Sequence, residues 1–166
     1  MKITGCILLI ISTTAVGFYL SAMLKRRMML FNQLALLTAN LSTAIRYSGV
    51  EIHTLLLNEQ KNVALPFVAE AVKNLENGYT LSDSWSKAID SLPYGYGLSA
   101  EDKEIVIQFG AKLGATDIQG QTEHCNYFKG LFQNKADLLR DDYATRSRVY
   151  RNLGFFSGLA MALVAL

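Results

Sequence analysis

The sequence lacks the motifs on which small enzymes, metal proteins and disulfide-bonded domains depend. It has two cysteines, Cys6 and Cys125, with no CxxC pair and no evenly spaced framework. We expect both to be ordinary buried thiols in a reducing compartment. The motifs GxSxG, GxxxxGK[ST] and HExxH are absent, so the sequence offers no nucleophile elbow, phosphate-binding loop or zinc-protease helix.

Histidine is also scarce, and no cluster of side chains suggests chemistry. His53 and His124 lie in no ligand-spaced motif, and His124 and Cys125 would point about 100° apart on a helix. We interpret the acidic clusters at residues 101–104 and 141–142 as solvated helix faces. The sequence therefore predicts a protein that is not an enzyme and has no metal, cofactor or catalytic residue.

The middle of the chain has no net positive charge. Residues 28–145 hold nine Lys and Arg against fourteen Asp and Glu, a net charge of −5. Such an acidic region would repel phosphates, so we expect no nucleic acid partner. The other basic residues flank apolar segments and are predicted to anchor the chain at a membrane edge: Lys2, Lys25, Arg26, Arg27, Arg146, Arg148 and Arg151.

Residues 3–24 form the longest uncharged run. As a helix, these twenty-two residues would span about 33 Å, enough to cross a bilayer core of about 30 Å. We predict a transmembrane helix at residues 1–24. A cleaved signal peptide is the alternative, but the basic triplet at residues 25–27 favours a retained anchor. The bias of Lys and Arg places the chain from residue 25 onward in the cytoplasm.

A second uncharged run covers residues 153–166. Its fourteen residues would reach only about 21 Å as a helix, which leaves three interpretations open: a thin or re-entrant span with Arg151 snorkelling, an interfacial helix, or a buried core helix. We favour a short C-terminal transmembrane helix, in a segment that covers residues 151–166. Both spans would then turn their basic ends toward a cytoplasmic domain at residues 25–150.

The region between the two runs has helical periodicity throughout, and no stretch alternates as a strand would. The spacing of apolar residues predicts six helices, near residues 30–48, 51–58, 66–76, 80–91, 99–113 and 116–146. Gly49 is placed to end the first, Thr80 and Ser99 begin the fourth and fifth, and a Thr116–Gln119 capping box begins the sixth. The predicted fold is all-α, a six-helix bundle whose first and last helices continue into the membrane.

Small residues recur one helical turn apart in the apolar runs. Gly154 and Gly158 form a GxxxG motif, and Gly17 and Ser21 form a similar pair in the first run. Such pairs let helix backbones approach closely in a membrane, so we predict helix packing there. Gly110 and Gly114 form another pair, which we interpret as a helix end plus one tight contact inside the bundle.

Two stretches are more specific than composition. Residues 78–85, GYTLSDSW, and residues 109–121, FGAKLGATDIQGQ, resemble motifs of the stage III sporulation protein AB family, and the resemblance in length and layout covers the whole chain. The positions that carry these motifs are Gly78, Leu81, Trp85, Gly110, Leu113, Gly114, Asp117, Gly120 and Gln121.

The resemblance implies more than the residues alone predict. That family is similar to the F domain of type II secretion and type IV pilus platform proteins, a cytoplasmic six-helix bundle, although this chain has one such domain where those proteins have two. It implies a scaffold in the mother-cell membrane around the forespore, within a sporulation channel. The implied partners are other channel proteins and a secretion-type ATPase, and self-association into a homo-oligomer is left open. The alternative is a two-span membrane sensor with its bundle outside the cell.

Overall fold

The computed structural model describes residues 2–48 and 50–165, and within them the fold is all-helical. The helices are α1 (Lys2–Ser48), α2 (Ile52–Glu59), α3 (Pro66–Glu76), α4 (Leu81–Asp90), α5 (Ala100–Ala111) and α6 (Ile118–Ala165), with a 3₁₀ turn at Tyr94–Tyr96. The six predicted helices are confirmed. The predicted cap at Gly49 and the end of the C-terminal segment at Leu166 lie outside the described residues.

The ends of the short helices follow their local sequence. Thr80 caps α4 by accepting a hydrogen bond from the backbone N–H of Asp83 at 3.1 Å, as predicted. Pro66 opens α3, where its missing N–H has no helical partner to lose. The capping box predicted at Thr116 is wrong, because α6 begins at Ile118 and the cap is Asp117, whose Oδ1 accepts from the N–H of Gly120 at 3.0 Å.

The helices α1 and α6 are far longer than the rest, and they run antiparallel against each other. At 1.5 Å per residue each is about 70 Å long. Near one end the Cys6 thiol donates to the carbonyl of Ala162 at 3.6 Å. Near the other the Ser42 hydroxyl donates to Asn126 Oδ1 at 3.0 Å. Neither apolar run is a separate helix, since each continues without a break into the bundle.

The helices α2 to α5 pack against one half of this pair and close a single hydrophobic core. From α1 the core takes a stripe from Leu30 to Ile45, and from α6 a stripe from Cys125 to Leu139. The largest fully buried side chains are Trp85, Phe31, Phe67, Phe109 and Phe132. In the other half of the pair, the N-terminal part of α1 with the C-terminal part of α6, many apolar side chains of the described residues are exposed.

Trp85 forms the centre of the core and depends on a glycine. Its indole N–H donates to the carbonyl of Val106 at 2.8 Å, and its ring packs edge-on against Phe67 and Phe109. A Cβ at Gly110 would overlap the Trp85 ring. The close contact predicted for Gly110 is therefore a crossing of α4 over α5.

We expect Gly110→Ala to destabilise the protein by about 1–3 kcal/mol, because the added methyl must displace a buried indole. Gly130→Ala is the matched control, since a Cβ there meets nothing within 4 Å. That change should stabilise α6 by about 0.5–1 kcal/mol. Urea unfolding of the detergent-solubilised chain, followed by tryptophan fluorescence, would measure both. Equal stability of the two variants would contradict this account of the crossing.

Candidate membrane and partner interface

The ends of α1 and α6 outside the core expose apolar side chains. Ile7, Leu8 and Ile11 on α1 are each more than half exposed, as are Leu153, Phe156 and Leu163 on α6. Among the described helices, α1 is the one long and apolar enough to cross a membrane, over Thr4–Ser48. The exposed aliphatic and aromatic side chains from Ile7 to Leu20 of α1 form a surface suited to lipid.

Small residues hold these two apolar ends together. A Cβ at Gly17 would lie 3.3 Å from Cα of Gly154, and one at Gly154 would lie 2.8 Å from the carbonyl oxygen of Thr13. A Cβ at Gly158 would overlap the Thr13 hydroxyl. The structure thus brings Gly17, Gly154 and Gly158 into one contact within the chain, and Ser21 is buried one turn further along α1.

Most of the predicted anchors form an exposed basic collar where the apolar ends meet the bundle. Lys25, Arg26 and Arg148 are exposed. Arg146 is paired with Asp142 at 3.2 Å on its own helix. Arg151 lies with its guanidinium carbon 6.0 Å from the centre of the Phe18 ring, and its Nε donates to the carbonyl of Ser147 at 3.2 Å.

Arg27 differs from the other anchors because it is turned into the bundle. Its Nε donates to Asp102 Oδ2 at 2.6 Å, and the Asp102 side chain is fully buried. Lys135 Nζ lies 3.1 Å from the other carboxylate oxygen, and the N–H of Ser99 donates to Asp102 at 3.0 Å. One carboxylate therefore joins α1, α5 and α6 just beyond the collar.

The charge of Asp102 is maintained by these partners. Burial by itself would raise the pKa of this carboxyl, but the hydrogen bonds from Arg27 and the Ser99 backbone and the nearby Lys135 ammonium outweigh it and hold the pKa below its ordinary value. The interpretation of the acidic cluster as solvated is correct for Glu101, which is 75 % exposed, and wrong for Asp102. The pattern Ser99-x-x-Asp102 is a capping box in the structure, which was the one local signal available.

The two family motifs meet at the opposite end of the bundle. Gly78 ends α3 with a φ of +87°, and its N–H and that of Tyr79 bond back to Leu75 and Asn74 as in a Schellman motif. The next motif residue, Leu81, lies beside Gly114, where a Cβ would be 3.6 Å from the leucine Cδ2.

Gln121 holds the loop between α5 and α6. Its buried amide accepts from the N–H of Gly114 at 2.8 Å and donates to the carbonyl of Lys112 at 3.1 Å and to the Thr116 hydroxyl at 3.0 Å. Gly114 has a φ of +81°, which favours glycine. A Cβ at Gly120 would lie 2.7 Å from the Thr116 hydroxyl, and the Leu113 side chain is buried in the core. These motif positions therefore shape the loop between α5 and α6. The sequence alone does not predict this role for Gln121.

An open cleft of about 700 Å³ lies beside this loop, at the end of the bundle farthest from the apolar segments. Its lining residues come from the end of α1 and the start of α6: Arg46, Asp117, Ile118, Gln119, Thr122, Glu123 and Asn126. Ile118 is 56 % exposed there. The lining is mixed, with one cation, two acids, amides and an exposed aliphatic side chain.

The side chains that could react or bind a metal, Cys125 and His124, are packed in the bundle. Burial raises the pKa of the Cys125 thiol to about 11, which keeps it protonated. His124 stacks on Phe109, and its Nε2 lies 2.9 Å from the carbonyl oxygen of that residue. Over residues 2–48 and 50–165, no three His, Cys, Asp or Glu side chains are grouped so as to hold a metal ion.

We expect Asp102→Asn to destabilise the protein by about 2–4 kcal/mol at pH 7, because two cations lose their counter-charge. The folded pKa is lowered, so this contribution is complete above about pH 4 and is lost as the pH falls through the folded value. The difference from wild type should therefore shrink in acid. Denaturant unfolding across a pH series would measure it.

The control is Asp137→Asn, which removes an exposed carboxylate paired with Arg140 at 2.7 Å. It should change stability by no more than about 0.5 kcal/mol. A loss at Asp102 that matched the control, or that persisted unchanged in acid, would show that the buried ion pairs are not the cause.

Comparisons with known proteins agree with the layout of the chain. The family model for stage III sporulation protein AB matches residues 2–166. A curated relative, stage III sporulation protein AB of Bacillus subtilis (strain 168), is 24% identical over 169 residues, which cover 99% of this chain and 98% of the relative. No solved structure gives a significant match. The chain therefore belongs to the stage III sporulation protein AB family.

Proposed function

We propose that this protein is a non-enzymatic scaffold subunit of a sporulation channel between mother cell and forespore. It would sit in the mother-cell membrane around the forespore, with its helical bundle in the cytoplasm. There it would join a secretion-type ATPase to channel proteins in the membrane. Membership of a stage III sporulation family supports the role in sporulation, and the resemblance to secretion platform domains supports the role of scaffold.

The antiparallel contact of α1 and α6 is the observation that carries the proposal. Because the helices run in opposite directions, their basic segments at residues 25–27 and 146–151 both lie at the bundle end of the paired apolar runs, with residues 146–151 facing the last turns of the α1 run. Positive residues beside a span favour the cytoplasmic side. Both segments therefore favour a cytoplasmic bundle.

The same contact supports the second span predicted at residues 151–166. Fourteen apolar residues are short for a bilayer, but Ala162 lies beside Cys6, so α6 reaches nearly as deep as α1. Arg151 is level with Phe18, inside the uncharged run of α1. Its hydrogen bond to Ser147 turns the guanidinium back toward the collar, as expected for a snorkelling side chain.

The bundle has a shape suited to a soluble partner. From residue 28 to Tyr47, α1 extends about 30 Å beyond the collar. The net charge of −5 over residues 28–145 favours a partner with a basic surface. Binding of the ATPase should therefore weaken as salt is raised.

The side of the membrane on which the bundle lies is a direct test of the proposal. With Cys6 replaced by Ala and Cys125 kept as an unreactive thiol, a cysteine at the exposed Tyr47 position would report on the bundle. We expect a membrane-impermeant maleimide to label Tyr47→Cys after cell lysis and not in intact cells. Tyr127→Cys, at a second exposed position of the bundle, should behave identically. Labelling of both in intact cells would instead favour the two-span sensor.

The glycine contact gives a second test. The double change Gly154→Leu and Gly158→Leu should force the apolar ends apart, because neither position has room for a side chain. We expect reduced co-purification of the chain with the ATPase and with membrane partners. Gly5→Leu is the control, since a Cβ at that residue meets nothing within 4 Å. Unchanged recovery of the double variant would show that the scaffold does not need this contact.

A further inference from the structure

The loop that joins α4 to α5 lies against the membrane-facing half of α1. A Cβ at Gly97 would be 3.5 Å from Cβ of Met23, and one at Gly95 would be 3.0 Å from a guanidinium nitrogen of Arg26 and 3.7 Å from the hydroxyl of Tyr19. The Cβ of Met23 is fixed by the backbone, whereas the end of a long side chain can lie several ångströms along the helix from its own residue. The contact therefore gives the level of the loop along α1. The loop is therefore level with the last turn of the uncharged run and the first basic residues.

The position of α5 gives the same level independently. Asp102, in the first turn of α5, pairs with Arg27, which follows the uncharged run directly. The residues before α5 must lie on the membrane side of that pair. The turn at Tyr94–Tyr96 occupies this place, and Gly97 leaves it with a φ of +65°.

Tyr94 is left outside this packing. Its side chain is 87 % exposed, whereas Tyr96 packs against the core. A tyrosine exposes an apolar ring with a polar tip, and this residue type is enriched where hydrocarbon meets headgroups. An exposed ring in a loop at the level of Met23 would lie close to that boundary.

The charge around the loop also suits a membrane surface. Lys25 and Arg26 are exposed beside it. Two of the nearby acids have cationic partners, since Asp102 is buried against Arg27 and Asp90 lies 3.7 Å from Lys103. Unpaired cations next to an exposed tyrosine favour a headgroup layer that carries negative charge.

We infer that the loop at residues 93–97 is a third membrane contact, in which Tyr94 inserts its ring among the lipid headgroups. The inference rests on the proposed spanning of α1. The contact would hold the bundle against the bilayer on a second side of the collar. It would thereby restrict the tilt of the long helix pair and of everything docked on its far end.

Site-directed spin labelling of the full chain tests this contact. In a Cys6→Ala background, single nitroxides would be placed by Tyr94→Cys, Tyr47→Cys and Val16→Cys, all at exposed positions whose substitution leaves the core intact. The chain would be reconstituted into vesicles of phosphatidylcholine and phosphatidylglycerol. The accessibility of each label to oxygen, which enters lipid, would be compared with its accessibility to a water-soluble nickel chelate.

Tyr47 is the matched control, since it is a tyrosine of similar exposure, 78 %, at the far end of α1. We expect the label at 94 to show a higher ratio of oxygen to nickel accessibility than the label at 47, and a lower one than the label at 16. A water-like ratio at 94 with a lipid-like ratio at 16 would overturn the inference and leave the spanning helix intact. Water-like ratios at both 94 and 16 would overturn the spanning helix itself.

Discussion

The contact between α1 and α6 is the constraint on which the rest of the molecule depends. Two helices of about 70 Å can stay paired only if their facing surfaces match over many turns. In the bundle the match is made by large apolar side chains, and toward the termini by glycines that allow backbone contact. In the proposed membrane arrangement, the change from large to small residues would follow the change of solvent, since burial of apolar area drives association in water and close packing drives it in lipid.

Buried polar groups then fix the short helices on this pair. Asp102 receives hydrogen bonds from Arg27 and the Ser99 backbone and faces Lys135, so the start of α5 is tied to both long helices near the collar. Gln121 ties the other end of α5 to α6 through three hydrogen bonds. Each group would be costly to bury without its partners, so each position tolerates few alternatives.

This arrangement accounts for the family motifs in physical terms. Gly110 allows the Trp85 ring to cross α5, Gly114 provides a left-handed turn that Gln121 can reach, and Gly120 leaves room for Thr116. These positions shape and join helices. A protein whose most specific residues maintain a rigid shape is suited to holding partners in a fixed relation, which is the work proposed for a scaffold.

The sequence by itself determined the helical class, the six helices, most of their ends and the apolar character of both termini. These properties depend on periodicity, capping residues and run length, all of which are local. The prediction that Asp102 is solvated was wrong, because its burial depends on Arg27 of α1 and Lys135 of α6, which contact its side chain. Only the tertiary structure decided that Arg27 turns inward, that the terminal glycines face each other, and that the loop at residues 93–97 lies beside Met23. Each of these joins residues more than sixty positions apart, and no local pattern encodes which distant partners meet.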